Sequence, residues 1–391
     1  MMTSAGRFCV VALAVLLCVA TARADDDAKT SVAISAVTTL LKDMSAAVEV
    51  ADIGEYLSLV SPHDEVFLTE QRAWAADLRD HPVVGFKLRL VQPEELIVSE
   101  HGWATGELSM RWKMSERRPW REVRFPARFE PVGGPDGPWL YAGEHWKIVH
   151  DDREGAPNRA MASEDLLPTA LQIVELMPEV RASVDALFGV KNNQTQPIKL
   201  YASMLHLQAS IYLSYSEPLG GWNEPGEAIK LLSGQALRPR GLRRLLAHEY
   251  AHAVTFTMGD KATGVDWWVL EGVAEHAAEI VAGPSDRTER LVGMWARDGE
   301  LKRWEQLADF RGEAEAYGIW VYVQGQHMVG YISDRFGDHA RNAWITRMTR
   351  GASLADATQD VFGVSFEQLD RDWRANLARS PAPVGPSPNP D

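Results

Sequence analysis

Two histidines, His248 and His252, stand four residues apart, with Glu249 directly after the first. On a helix, a turn of about 100° per residue places both imidazoles on one face, one turn apart. There they can share one Zn²⁺ as two of its tetrahedral ligands. Glu249 then points to one side, toward water at the same metal, where a carboxylate can act as general base. The flanking residues predict the helix. Leu242, Leu245, Leu246, Val254 and Phe256 recur at a helical period, which marks a core helix over about residues 240–258. Histidines and a glutamate are costly in such a helix unless a metal or a partner satisfies them.

A further carboxylate follows. Eighteen residues separate His252 from Glu271, which lies in the run Trp267-Trp268-Val269-Leu270-Glu271-Gly272-Val273-Ala274-Glu275-His276. His248-Glu249-Tyr250-Ala251-His252 with this second segment resembles the gluzincin signature of zinc metallopeptidases. The order Trp268, Leu270, Glu271, Gly272, Ala274, Glu275 is similar to the aminopeptidase-N-like and peptidase MA-like branches. The resemblance implies His248, His252 and Glu271 as zinc ligands and Glu249 as the base. It also implies a supporting role for Glu275, one turn after Glu271. In gluzincins an acid at this offset holds the other ring nitrogen of a motif histidine, which fixes the ligand's tautomer and orientation. His276 projects about 100° away around the helix and reads as structural.

Further along, the segment from Tyr322 to Ile332 resembles the tyrosine-bearing helix of peptidase MA-like proteins. The resemblance implies Tyr322 as the donor to the oxyanion of the tetrahedral intermediate, with Tyr317 as the reserve. His327, in the same amphipathic segment, reads as a packed helix residue. Upstream, Gly220-Gly221-Trp222-Asn223-Glu224-Pro225 stands where aminopeptidase-N-type enzymes carry a substrate loop. Here Asn precedes Glu, so the order departs from that loop, and the stretch reads as a Gly/Pro turn leading into a strand. The activity implied is that of a zinc-dependent metallopeptidase acting on a peptide or protein. Two alternatives are a catalytically idle zinc protein that binds peptides or envelope partners, and a zinc hydrolase of non-peptide amides. Glu249 argues against the idle form, because a binding-only site needs no base.

The elements that must position these residues fall into two halves. The chain has 391 residues, 46% of them hydrophobic, enough for two separate cores. Residues 1–24 read as a secretory signal. Arg7 is the positive start, Phe8 to Ala20 an uncharged and mostly apolar run, and Ala22-Arg23-Ala24 a cleavage site. Both cysteines, Cys9 and Cys18, lie inside it, so the mature chain would carry no disulfide, which suits a bacterial periplasm or exterior. The whole chain carries a formal charge of −14; loss of Arg7 and Arg23 leaves 38 basic against 54 acidic residues, or −16. Such a surface repels nucleic acid and anionic membranes. No segment after the signal reads as apolar enough to span a membrane.

An α+β fold is expected. Residues 25–152 begin with a helix over 31–49 and shorter helical pieces. Alternating strands follow over 85–90, 95–98, 102–108, 121–129 and 139–148. This order resembles the nuclear transport factor 2-like cone, a curved antiparallel sheet wrapped on helices, and an accessory or binding role is assigned to it. His63, Asp64, His101 and His145 read as surface or turn residues. A charged Gly/Pro linker over 151–158 precedes the second domain, 156–379. That domain is mainly helical, with strands near 197–202 and 227–232 forming a small sheet. In gluzincins the edge of that sheet binds an extended peptide by strand addition. Ser365 is expected to cap the last helix, with Gln368 completing a capping box. Residues 380–391 are Pro-rich and read as a disordered tail.

Overall fold

The computed structural model describes residues 29–134, 137–151, 158–233, 238–310 and 312–379. The expected signal peptide, residues 152–157 of the expected linker and the Pro-rich tail lie outside the described residues. The fold is α+β and divides into two units. One holds the chain through Trp146 together with Met204–Pro218; the other holds Lys147–Ser203 and the chain from Leu219 onward.

The first unit opens with α1 (Lys29–Glu49), α2 (Ile53–Ser58) and α3 (Glu65–Asp80). By length and composition alone α1 could cross a membrane, which corrects the expectation that no segment after the signal qualifies. Its apolar residues are nonetheless those of a core helix. Ala33, Val37, Leu40, Leu41, Met44 and Val48 recur every three or four residues and are buried. They join the core beneath an antiparallel sheet of β1 (Gly85–Leu90), β2 (Ile97–Val98), β3 (Ala104–Lys113), β4 (Arg121–Pro131) and β5 (Trp139–Glu144). The order is β1-β3-β4-β5, with β2 also on β3. Period-two alternation sends Val123, Phe125, Ala127 and Phe129 of β4 inward.

Two features of this unit depart from the sequence reading. The strand expected over 139–148 ends at Glu144; Lys147–His150 is a separate strand, β6, that pairs in the other unit's sheet. The segment Met204–Pro218, which the sequence order assigns to the second half, packs in the first unit's core through Ala209 and Leu213. Two buried indoles hold it: Trp74 Nε1 donates to the Ala209 carbonyl at 3.0 Å, and Trp112 Nε1 to that of Leu213 at 3.2 Å.

In the second unit β6 is followed by β7 (Asn158–Ala162), α4 (Leu167–Phe188) and β8 (Gln196–Tyr201). The helix α5 (Met204–Ile211) belongs to the first unit. The chain returns with β9 (Gly221–Trp222) and β10 (Ile229–Leu232). The sheet order is β6-β7-β8-β10-β9, parallel at β7/β8 and β8/β10 and antiparallel at both edges. The remainder is helical: α6 (Pro239–Thr257), α7 (Trp267–Ala282), α8 (Arg287–Asp298), α9 (Gly318–Phe336), α10 (Asp338–Thr349), α11 (Leu354–Phe362) and α12 (Phe366–Arg379). Ser365 caps α12 by accepting from Gln368 N–H at 3.2 Å, but the Gln368 side chain turns to Asp372 and leaves the box half closed.

The packing of α7 against α9 is set by glycine. A Cβ at Gly272 would stand 2.5 Å from the Gly325 carbonyl carbon, and one at Gly325 would stand 2.4 Å from the Trp268 carbonyl oxygen. Both obstacles are backbone, so the helices touch at a separation that no side chain permits. Gly272→Ala is expected to destabilise the fold by about 1–3 kcal/mol, the usual cost of overpacking. Gly241→Ala, where nothing lies within 4 Å, should be neutral or stabilising by about 0.5 kcal/mol. Urea unfolding of the two variants checks this, and equal midpoints would show that the α7–α9 contact has slack.

His276, on α7 beyond Glu275, packs beside Ser333 with its ring nitrogen 3.4 Å from the hydroxyl. Burial, with the nearby Arg341 charge, holds its imidazole down to about 4. The unfolded chain takes up that proton near 6.5, so stability is lost as pH falls from about 6.5 toward 4. In His276→Gln the decline in unfolding free energy across that window should be shallower. An unchanged decline would remove His276 from the acid response.

Candidate metal centre

His248, Glu249 and His252 lie on α6, as the apolar period requires; Leu242, Leu246, Tyr250 and Val254 fill its core side. Glu271 and Glu275 lie on α7. The two helices face each other in opposite directions through matched stripes. Arg244, His248 and His252 recur every fourth residue on α6, and Trp267, Glu271 and Glu275 do so on α7. Three donor atoms converge between them. His248 Nε2 and His252 Nε2 are 3.3 Å apart, and Glu271 Oε2 lies 3.3 Å from the first and 3.4 Å from the second. Donors bound tetrahedrally to zinc at about 2.0–2.1 Å stand about 3.3–3.4 Å apart, so the triangle has the spacing of such a site. Glu271 Oε2 is sealed from solvent and makes no well-directed hydrogen bond among the described residues. That is a costly state for a carboxylate oxygen without a cation on it. Among the described residues this is the one group of His, Cys, Asp and Glu side chains placed to hold a metal ion.

Two of the three residues are held from behind. The other carboxylate oxygen of Glu271, Oε1, accepts from Trp267 Nε1 at 2.8 Å. Glu275 Oε1 lies within ion-pair distance of His248 Nδ1, at 3.1 Å, and Glu275 Oε2 accepts from Arg244. Glu249 is buried between the helix and β9. A Cβ at Gly221 would come within 2.4 Å of Glu249 Oε1, and Asn223 Nδ2 donates to the Glu249 carbonyl at 3.3 Å. The stretch Gly220 to Asn223, expected to be only a turn entering a strand, therefore supplies the sheet edge that borders Glu249. Trp267, Arg244 and Gly221 are the site residues missed from the sequence. The first two carried a readable signal, a spacing of one turn before Glu271 and His248. Gly221 had none.

The site gathers charge in a dry place. Burial raises the Glu249 carboxyl above its usual range, against the pull of the two histidines. Burial works in the same direction on Glu271, but the charges of His252 and His248 close to Oε2 outweigh it and hold the carboxyl well below its usual range. Glu275 is likewise held low, against burial, by His248 and Arg244. Aromatic rings form one wall. Tyr322 on α9 stacks over His248 at 6.1 Å and meets Trp267 edge-on. Phe310 bridges Trp267, at 4.9 Å, to Trp222 on β9, at 5.8 Å.

The remaining candidates lie elsewhere. Tyr317 packs on Trp320 and beneath the Lys302 ammonium, whereas Tyr322 is the tyrosine against His248. His327 is tied at both nitrogens, to Trp373 at 2.9 Å and Glu289 at 3.3 Å. In the first unit His63 pairs with Glu130, Asp64 caps α3, His101 lies exposed beside Glu100, and His145 packs on Trp103.

The sequence matches no family profile and no curated protein. Among solved structures the chain is similar to an M1 zinc metallopeptidase from Deinococcus radiodurans, with 16% identity and a TM-score of 0.39 over 72% of this chain. It is also similar to a variant of that enzyme bound to a Tyr-Ser-Ala substrate, with 16% identity and a TM-score of 0.40 over 72% of this chain. A third is native yeast LTA4 hydrolase, with 10% identity, a TM-score of 0.40 and coverage of 75% of this chain and 68% of that one. The chain spans 63% and 64% of the lengths of the two Deinococcus chains.

Loss of the indole donor should loosen the Glu271 carboxylate. Trp267→Phe is expected to weaken zinc binding by about tenfold, the lower end of what outer-shell hydrogen bonds contribute. Competition with a chromophoric chelator measures this, and an unchanged dissociation constant would show that the indole contact does not support the ligand.

Proposed function

We propose that the protein is a zinc-dependent peptidase of gluzincin type. The observation that carries this reading is the triangle of His248, His252 and Glu271 donor atoms, 3.3–3.4 Å on a side, with the buried Glu249 beside it. When bound there, a zinc ion would polarise a scissile carbonyl and lower the pKa of water at the site. Glu249 takes the proton from the attacking water and returns it to the leaving amine. Its burial raises the carboxyl and so makes it a stronger base for that exchange. Tyr322, beside His248, donates to the developing oxyanion. Glu275 and Trp267 keep His248 and Glu271 in place. An extended peptide is favoured over a non-peptide amide by the edge strand β9, whose Gly221 lies against Glu249.

The zinc chemistry belongs to the second domain, expected over 156–379, and the curved sheet of 25–152 is an accessory domain. A cut at residue 156 would strip β6 from its sheet and leave Ala209 and Leu213 without their core, so the two are best tested in one chain. With residues 1–24 acting as a signal, the site operates outside the cytoplasm, on peptides of a bacterial periplasm or exterior.

Purified full-length protein is expected to hold one zinc ion, which His248→Ala and Glu271→Ala lose in elemental analysis. Glu249→Gln should keep the zinc and lose hydrolysis of a mixed peptide library by at least about a hundredfold. Wild type without zinc under metal-replete conditions would sink the proposal. Retained hydrolysis in Glu249→Gln would remove that residue from the mechanism. Gly221→Ala should keep zinc and fold but displace the Glu249 carboxylate, lowering turnover about tenfold or more; wild-type turnover would show that the base can shift without loss.

A further inference from the structure

We propose that Arg244 is a positioning residue for the metal centre, acting on His248 through Glu275. The inference rests on the zinc-site reading above. Arg244 and His248 are one turn apart on the same face of α6, and the Glu275 carboxylate of α7 spans both. One of its oxygens accepts from the Arg244 guanidinium, and the other lies 3.1 Å from His248 Nδ1. The guanidinium thus holds the carboxylate at one end and leaves its other oxygen at ion-pair distance from His248 Nδ1, where it can steady the ring whose Nε2 lies 3.3 Å from Glu271 Oε2.

Charge gives the second argument. Glu249, Glu271 and Glu275 converge on one partly dry site. Two of these negative charges, Glu249 and Glu271, have no arginine or lysine within ion-pair distance among the described residues. Glu275 has Arg244. Without that guanidinium, the Glu275 carboxylate would face its two neighbours with only His248 to hold it, and it would turn toward solvent. Like charges in such a setting repel by several times more than in water.

A surface ion pair predicts something different. Arg244 has 37% of its side chain exposed, and a pair of that kind contributes about 0–1 kcal/mol to folding and nothing specific to a metal. Zinc binding therefore separates the two readings where stability does not. The experiment uses the full-length protein, stripped of metal and titrated with zinc against a competing chelator. The variants are Arg244→Met, Arg244→Lys and Glu275→Gln, together with the double variant Arg244→Met/Glu275→Gln. Arg244→Met is expected to bind zinc about tenfold more weakly and release it faster, as for other outer-shell partners. The unfolding midpoint of the metal-free protein should hardly move. Arg244→Lys, which keeps the charge, should recover most of the affinity. In the Glu275→Gln background Arg244→Met should cause no further loss, because the path to His248 is already cut. Wild-type affinity in Arg244→Met, or a loss that adds in full to that of Glu275→Gln, would overturn the inference while leaving the zinc site intact. Absence of zinc binding in the wild type would overturn both. If Arg244→Met fails to fold, Arg244→Gln, which keeps polarity and length, takes its place with the same expected outcomes.

Discussion

Three potential donor atoms, on His248, His252 and Glu271, stand 3.3–3.4 Å from one another, and two helices, α6 and α7, must meet closely to place them so. That constraint governs the second unit. A flexible pair of helices would leave the histidines as a polar stripe and Glu271 as an isolated buried acid. The backing of each helix removes this freedom. Behind α7, Gly272 and Gly325 let α9 approach to backbone contact. Behind α6, Tyr250 donates to Asp185 of α4 at 2.9 Å and carries the Arg181 guanidinium over its ring. Arg181 in turn donates to the carbonyls of Asn192 and Gln194, which ties α4 to the loop before β8. The ligand face is held in place by contacts on the opposite faces, a general requirement for sites that need sub-ångström placement.

The same arrangement manages an unfavourable concentration of charge. Burying three carboxylates and two imidazoles together is expensive unless each polar atom is met. Trp267 meets one oxygen of Glu271, Arg244 and His248 meet those of Glu275, and the remaining donor atoms all face one point. Glu249 is left as the carboxylate that burial raises. The environments of three like residues are thereby driven apart, Glu249 raised and Glu271 and Glu275 lowered, which suits the separate roles proposed for them. This division of environments is how acid and base roles are separated within one site.

The first unit follows a simpler logic. Its helices and sheet share a core of alternating inward residues, and Trp74 and Trp112 extend that core to a segment more than a hundred residues away in sequence. An indole N–H buried in such a core must find an acceptor. Here the acceptors are backbone carbonyls of 204–218, so the polar ends of two large apolar side chains secure the excursion that brings the chain back into this unit.

Much of the candidate site was legible because its geometry is local. Histidines four apart and a glutamate between them are fixed in relative position by the helix alone, and Leu242, Leu246 and Val254 say which side is buried. The limits of α6, Pro239–Thr257, differ from the expected 240–258 by one residue at each end. The antiparallel alternation of β3 and β4 was legible for the same reason, since a period of two needs no knowledge of the partner strand. What only the tertiary structure decided involves atoms from segments whose separation the local pattern does not encode. The run from Trp139 to Ile148 reads as one strand, yet its two ends pair in different sheets. The segment 204–218 reads as part of the second half, yet its carbonyls answer indoles of the first. Gly221 reads as a turn residue, yet it borders Glu249 because β10 carries β9 to the sheet edge beside α6. Periodicity states which face of an element is buried; it carries no information about which other element buries it.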